Sequence, residues 1–195
     1  MRTIALLLIL LASTAQAQTV RYTLAAYASG TNDPLTTVKS GQTFDLAVIV
    51  QDLRAEGQYT RPASIYGPAA TLDRPRGVFG AYCQCFFDYR LATVLSVQYS
   101  PFYPNGKLAR IGLAGLREFG GMANMSQLGT APIEVIRANM LARGGGTLNF
   151  KPTFGGLPSP ACDTVVHAAM DGIESQYVPP SKIEAVGTSL TVERQ

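Results

Sequence analysis

The chain has 195 residues, of which 15% are charged, and its formal net charge at pH 7 is +3. This small charge, with basic residues scattered along the chain, excludes the basic patch that a nucleic-acid partner requires. The 19 Gly and 12 Pro favour short strands joined by turns over a helical protein.

The N-terminus has the features of a signal peptide. Arg2 supplies a positive charge, residues 4–12 form an apolar run, and Ala15 and Ala17 place small residues where signal peptidase recognises them. The run is shorter than the ~20 residues that span a bilayer as a helix, and no later run is longer. We therefore expect cleavage after Ala17, no membrane span afterwards, and a secreted protein, extracellular or periplasmic. The remaining residues, 18–195, have the length of one domain.

Alternation of apolar and polar residues with a period of two dominates the mature chain and predicts strands. Residues 43–53 are the clearest case, because Phe44, Leu46, Val48 and Val50 fall on one face. About nine strands are expected, at residues 20–27, 43–53, 77–88, 91–99, 133–142, 147–154, 162–168, 172–178 and 185–192. Short strands with turns between them, and no amphipathic helix, predict an all-β fold, an antiparallel β-sandwich.

The connections between these strands suggest how they pair. Residues 91–99 are expected to pair with the preceding strand, and Gly144 to Gly146 to form the tip of a hairpin between residues 133–142 and 147–154. Residues 112–130 contain five Gly and no sustained period, which predicts an irregular crossing. Residues 54–76 also lack a period and contain three Pro, so we expect a long loop there, of the length that is usually functional or disordered.

The chain has three Cys, and their arrangement leaves several states open. Cys83 and Cys85 fall in one predicted strand on the same face, at a spacing near the limit for a disulfide with each other. A disulfide from Cys83 or Cys85 to Cys162 is geometrically easier and suits an oxidising compartment. Three buried thiols are the alternative, and a Cys-x-Cys metal site is the third option.

The sequence contains no pattern that predicts catalysis, and we expect no enzyme, cofactor or metal. His167 is the only histidine, and no Gly-x-Ser-x-Gly motif occurs. A hydrolase with two carboxylates needs only a spatial pair, which sequence alone cannot exclude. Clustered oxygen ligands for calcium are sparse, with Asp33 beside Asn32 as one example.

Aromatic residues in the predicted loops are the candidate binding residues. Tyr99, Phe102 and Tyr103 surround the turn at residue 101, and Tyr59 and Tyr66 lie in the long loop. Rings on such loops stack on sugars or anchor a protein partner. The alternative interpretation is that they fold back and cover the ends of the sandwich.

Several segments resemble cohesin domains. The Gly-led strand SGQTFDL at 40–46 is followed by GVFGAY at 77–82, which continues to an aromatic-Asp step at 87–88 and then LATV at 91–94. The stretch 136–150 is similar to paired strands in the second half of that family, and 188–192 resembles its closing strand. The resemblance covers most of residues 38–195 and implies a non-catalytic jelly-roll sandwich whose flat sheet face docks a partner module.

Three hypotheses about function follow. The leading one is a secreted, cohesin-like binding or scaffold module that docks a secreted or cell-surface protein module. The alternative is a carbohydrate-binding module that recognises polysaccharide through loop tyrosines. The third is an extracellular glycoside hydrolase.

Overall fold

The computed structural model describes residues 19–53, 59–61, 70–72, 77–112, 115–123, 130–154, 164–167 and 175–194. For residues 59–61, 70–72, 108, 110–112, 115–118, 164–167 and 175–177 it describes the backbone alone. The predicted signal peptide lies outside the described residues, as does most of the predicted long loop. In the part of the chain that is described, no helix is long and apolar enough to cross a membrane.

Strands make up nearly all of the regular structure of the described residues. In chain order they are β1 Val20–Ala28, β2 Thr37–Lys39, β3 Thr43–Asp52, β4 Tyr59–Arg61, β5 Ala70–Leu72, β6 Gly77–Phe86, β7 Ala92–Tyr99, β8 Asn105–Gly112, β9 Gly115–Met122, β10 Ile133–Ala142, β11 Gly146–Phe150, β12 Pro152–Thr153, β13 Thr164–His167, β14 Ser175–Val178, β15 Ile183–Val186 and β16 Thr188–Glu193. A short 3-10 helix, Pro180–Lys182, precedes β15. The expected all-β fold is confirmed.

The strands form two main layers. One sheet has the order β15-β1-β3-β10-β7, and the other has the order β14-β13-β6-β9-β8 with β12 also paired to β6. A smaller sheet has the order β11-β16-β2, and β4 pairs with β5 in a separate ribbon. Most pairs are antiparallel, as expected, but β1–β15 and β2–β16 are parallel.

The core lies between the layers and follows from the period-two pattern. Along β1 every second residue from Val20 to Ala26 is buried. On β3 the predicted apolar face is confirmed, with Phe44, Leu46, Val48 and Val50 all buried. The Phe150 ring of β11 packs between the rings of Phe44 and Phe87, with centroids 6.2 and 5.6 Å away. Burial of these large side chains is the main stabilising contribution to the fold.

Two predicted pairings are wrong. β7 pairs with β10, whereas β6 pairs with β9, β12 and β13, so β6 and β7 lie in different sheets. β10 lies between β3 and β7, which occupy both of its edges, so β11 pairs with β16 instead. The glycine turn carries the chain from one sheet to another, and Gly144 adopts a positive φ of 66° there.

Residues predicted to be irregular also contain strands. β9 lies within the expected crossing at 112–130 and pairs antiparallel with β8, which ends at Gly112. Glycines interrupt the alternation of side chains in β9, which removes the pattern that predicts a strand. Gly120 is required by close packing, because a Cβ there would clash with the carbonyl oxygen of Ala81. In the predicted loop at 54–76, β4 and β5 form a short ribbon.

Candidate functional site

The exposed large apolar side chains of the described residues fall in one segment of the chain. Phe86 is 47% exposed, Tyr89 55%, Leu95 52% and Phe102 43%. They lie between the end of β6 and the turn after β7, and we call these four residues the exposed apolar segment. Because large apolar side chains gain free energy on burial, these four residues, all within residues 86–102, are the candidates for a binding surface among the described residues.

The position of Leu95 follows from an irregularity in β7. In the pairing of β7 with β10, Ser96 lies opposite Asn139 and Val94 lies opposite Met140, so Leu95 has no opposite residue. Such a bulge turns a side chain away from its regular direction. β7 is also the last strand of its sheet in the described part of the chain, so this bulge lies at an edge. Bulges at sheet edges hinder unwanted strand pairing and are common at binding sites.

Two of the predicted aromatic residues lie at the end of β7. The Tyr99 ring is half-buried, with the Lys107 ammonium 5.5 Å from its centroid, within the range of a cation–π interaction. Burial raises the pKa of Tyr99. Phe102 is in the following turn, where its backbone N–H donates to the Ser100 hydroxyl at 3.3 Å. Both rings are therefore placed where a partner could contact them.

Tyr103 corrects the expectation of an exposed ring. It is 1% exposed, and its hydroxyl donates a hydrogen bond of 2.7 Å to the Val78 carbonyl oxygen. Burial raises the pKa of its hydroxyl. Because the polar end of the ring is satisfied inside the protein, Tyr103 packs as a core residue, in agreement with the alternative interpretation of the loop aromatics.

The remaining predicted residues are described in part. Tyr59 lies in β4, where only the backbone is described, and Tyr66 and Cys162 lie outside the described residues. Cys83 and Cys85 are both buried, and burial raises the pKa of the Cys85 thiol to about 12. The disulfide from either residue to Cys162 stays a prediction.

A second surface feature, which the sequence analysis missed, lies on the outer face of the β1-β3-β10-β7 sheet. Asp45 on β3 is 5% exposed, and its two carboxylate oxygens accept hydrogen bonds from the Asn139 amide at 2.7 Å and from the Gly30 backbone N–H at 2.9 Å. The Asn139 amide also donates to the Ser29 hydroxyl at 2.9 Å. The β3–β10 register, which places Asn139 opposite Asp45, creates this contact.

Arg137 completes this cluster. Its guanidinium donates to both carboxylate oxygens of Glu134 at 3.0 and 2.6 Å, to the Thr31 carbonyl at 2.6 Å and to the Asn32 side chain at 2.7 Å. It lies 3.8 Å from the Asp45 carboxylate. The hydrogen bond to Glu134 is the main cause that raises the pKa of Arg137. These contacts fix the loop after β1 against the sheet.

Seven residues around the cluster line a recess of about 400 Å³, which we call the polar recess: Ser29, Gly30, Asp45, Ser96, Gln98, Arg137 and Asn139. No single stretch of sequence indicates it, because its residues come from four separate segments. Among the described residues, the recess included, no group of three or more His, Cys, Asp or Glu side chains is placed to hold a metal ion. His167 lies in β13, where only the backbone is described.

Comparison with solved structures shows a cohesin-like fold. The seventh ScaB type I cohesin of Pseudobacteroides cellulosolvens is similar with a TM-score of 0.58 and 6% identity, over 91% of this chain and 94% of that one. A cohesin module of a family 33 glycoside hydrolase from Clostridium perfringens has a TM-score of 0.51 and 9% identity, over 92% and 100%. The third ScaC cohesin of Acetivibrio cellulolyticus, solved with the ScaB dockerin, has a TM-score of 0.52 and 10% identity, over 89% and 98%. No protein-family model and no curated protein sequence matches the chain.

Proposed function

We propose that this chain is a secreted, non-catalytic module that docks a protein partner at the cell exterior. The observation that carries the proposal is the cohesin-like fold, which extends over about nine-tenths of the chain. Cohesins of similar structure from Acetivibrio cellulolyticus and Clostridium thermocellum were solved in complexes with dockerins. At identities of 6 to 10% the likeness concerns the fold, so the docking surface has to be argued from this chain's own residues.

The exposed apolar segment is the surface that we assign to the partner. Its members include three aromatic rings, the type of side chain that dominates protein interfaces energetically. Leu95 lies at the middle of β7, with Tyr89 before the strand and Phe102 after it. A strand of eight residues is ~26 Å long, so the three side chains extend over a length that suits a standard interface.

The outer face of the β1-β3-β10 strands is less suited to an apolar partner. Its Arg21 pairs with Glu184 at 3.0 Å, and Arg137 and Asp45 form the hydrogen-bonded cluster described above. Covering these charges would remove their solvation without supplying new partners. We therefore place the docking surface at the exposed apolar segment.

Secretion is part of the proposal and rests on the N-terminal sequence alone. Arg2, the apolar run at 4–12 and the small residues before position 18 are those of a signal peptide. Mass spectrometry of the protein recovered outside the cytoplasm should find Gln18 as the first residue. A protein that stays inside the cell with residues 2–17 intact would contradict secretion.

The docking proposal is tested by binding between purified proteins. The chain is immobilised, a partner is isolated from the secreted fraction of its source, and that partner is then produced in pure form for calorimetry. We expect a Kd of ~1 μM or lower. Leu95→Ala or Phe102→Ala should weaken binding by about tenfold or more, because few residues carry most of the energy of an interface.

The matched control is Thr191→Ala, an exposed side chain on β16 outside the exposed apolar segment. It should bind as the unmodified protein does. Equal affinity of the Leu95, Phe102 and Thr191 variants would show that the partner binds elsewhere. If the chain retains glycans and no protein, the docking proposal fails and the carbohydrate-binding hypothesis replaces it.

A further inference from the structure

The polar recess has a polar lining and a size suited to a small, hydroxyl-rich ligand. Six of its seven lining residues carry polar side chains. Its volume of about 400 Å³ is at the small end of the range for ligand sites, ~300–1,000 Å³. An apolar ligand would desolvate the polar groups without satisfying them, which is unfavourable.

The floor of the recess is held rigidly by hydrogen bonds. The two N–H groups of the Asn139 amide are used by Ser29 and Asp45, so its oxygen is left to accept a further bond. Each Asp45 oxygen accepts one strong hydrogen bond and keeps capacity for another. A fixed pair of acceptors of this kind suits neighbouring hydroxyl groups, and its rigidity lowers the entropy lost on binding.

Donors lie on the opposite side of the recess, on the edge strand β7. Ser96 is directly opposite Asn139 in the sheet, and Gln98 is opposite Arg137. Both side chains are exposed, and neither makes a side-chain hydrogen bond to another described residue. The recess thus combines fixed acceptors with donors that can adjust to a ligand.

The charges of the recess select against an ionic ligand. Four N–H groups of Arg137 are already directed to Glu134, Thr31 and Asn32. An anion would therefore meet the buried Asp45 carboxylate without an uncommitted cation to offset it. A cation would meet the Arg137 guanidinium, which lies 3.8 Å from that carboxylate.

From these contacts we infer that the polar recess binds a neutral sugar ring. Neighbouring hydroxyls of the ring donate to Asp45 and to the Asn139 oxygen, and they accept from Gln98 and Ser96. Ser96 and Gln98 share β7 with Leu95, but no member of the exposed apolar segment lines the recess, and the inference does not depend on the docking proposal. It also differs from the loop tyrosines that the sequence suggested for polysaccharide binding.

The experiment is a titration of the ¹⁵N-labelled protein with D-glucose, D-galactose and D-mannose, each followed by NMR. At about 20 mM, a sugar with a Kd of ~1 mM occupies more than nine-tenths of its sites. We expect at least one of the three to shift the Gly30 backbone signal and the side-chain amide signals of Gln98 and Asn139. The uronate of the same hexose, in which a carboxylate replaces the C6 hydroxymethyl group, should bind at least about fivefold more weakly.

Gln98→Ala and Gln51→Ala form the matched pair of variants. Both glutamines lie on strands of the same sheet, but Gln51 accepts from Arg21 at 3.4 Å and does not line the recess. Gln98→Ala should raise the Kd by about fivefold, the effect of one lost hydrogen bond, and Gln51→Ala should leave it unchanged. The inference is overturned if no hexose shifts these signals, if the shifts lie elsewhere, if the uronate binds as well, or if the two variants have equal affinity.

Discussion

Replacing Tyr103 by Phe removes a single oxygen atom from the core and tests whether the residue is structural. The Tyr103 hydroxyl donates to the Val78 carbonyl at 2.7 Å in a place where the side chain is 1% exposed. Without it, a buried carbonyl on β6 loses a partner that water cannot replace. The expected loss in the free energy of unfolding is about 1–3 kcal/mol. In a domain of this size, that lowers the Tm by several degrees, at about 2–4 °C per kcal/mol.

Urea denaturation of Tyr103→Phe and of its control measures this loss. The control is Tyr99→Phe, because the half-buried Tyr99 hydroxyl makes no hydrogen bond to a described residue. The control should change stability by no more than about 0.5 kcal/mol, and both variants should keep the m-value of the unmodified protein. Equal midpoints for the two variants would refute the structural role of the Tyr103 hydroxyl.

The pH dependence provides a second assay of the same group. Burial raises the folded-state pKa of Tyr103 above the ordinary tyrosine value of 10.0, so the stabilisation is complete below pH 10. Above pH 10 the unfolded chain releases this proton while the folded chain retains it. Stability should then fall by up to about 1.4 kcal/mol per pH unit. The loss of stability above pH 10 that comes from Tyr103 should be absent in Tyr103→Phe. An equal loss in that variant would show that other groups cause it.

Three further predictions concern other parts of the molecule. Arg137→Ala should lower the free energy of unfolding by about 2–4 kcal/mol in urea denaturation, because it leaves the buried Asp45 without a nearby cation and releases the loop after β1. The control Arg21→Ala, at a side chain that is 40% exposed, should lower it by under about 1 kcal/mol. Equal losses in the two variants would contradict this prediction. In protein treated with a reductant, Cys85 should react with a thiol reagent at pH 8 only after unfolding, because its pKa of about 12 keeps it protonated. Rapid labelling of Cys85 in the folded protein would refute its burial. Gly106→Ala should lower the free energy of unfolding by about 1–2 kcal/mol or more in the same assay, because φ at Gly106 is 55° and a Cβ there would lie 2.5 Å from the Tyr82 hydroxyl oxygen. Unchanged stability would contradict that geometry.

Strands with complete alternation could be predicted closely from the sequence. β10 has the predicted bounds at both ends, and β1 and β3 differ from theirs by one residue at the C-terminal end. In each of these strands, apolar side chains on one face meet a core, so the burial that stabilises the strand also produces its pattern. β9 could not be predicted in this way, because Gly115, Gly120 and Gly121 contribute no side chains to the alternation.

Strand pairing and the candidate sites depend on contacts distant in sequence. Alternation indicates which face of β6 is buried but does not indicate whether β7 or β9 lies beside it. Asp45 and Asn139 meet only because β3 and β10 pair in one register. The aromatic turn around Phe102 and Tyr103 was recognisable, but whether each ring points inward or outward depends on the packing of β6 beneath it.

Hydrogen exchange of the complex with the purified partner tests protein docking most directly. It compares the backbone amides of the chain alone with those of the complex. We predict slower exchange in the complex for residues 86–102, which contain the exposed apolar segment, and unchanged exchange for β11 and β16. Slower exchange confined to other strands, or no change at any amide in a partner-saturated sample, would contradict docking through this surface.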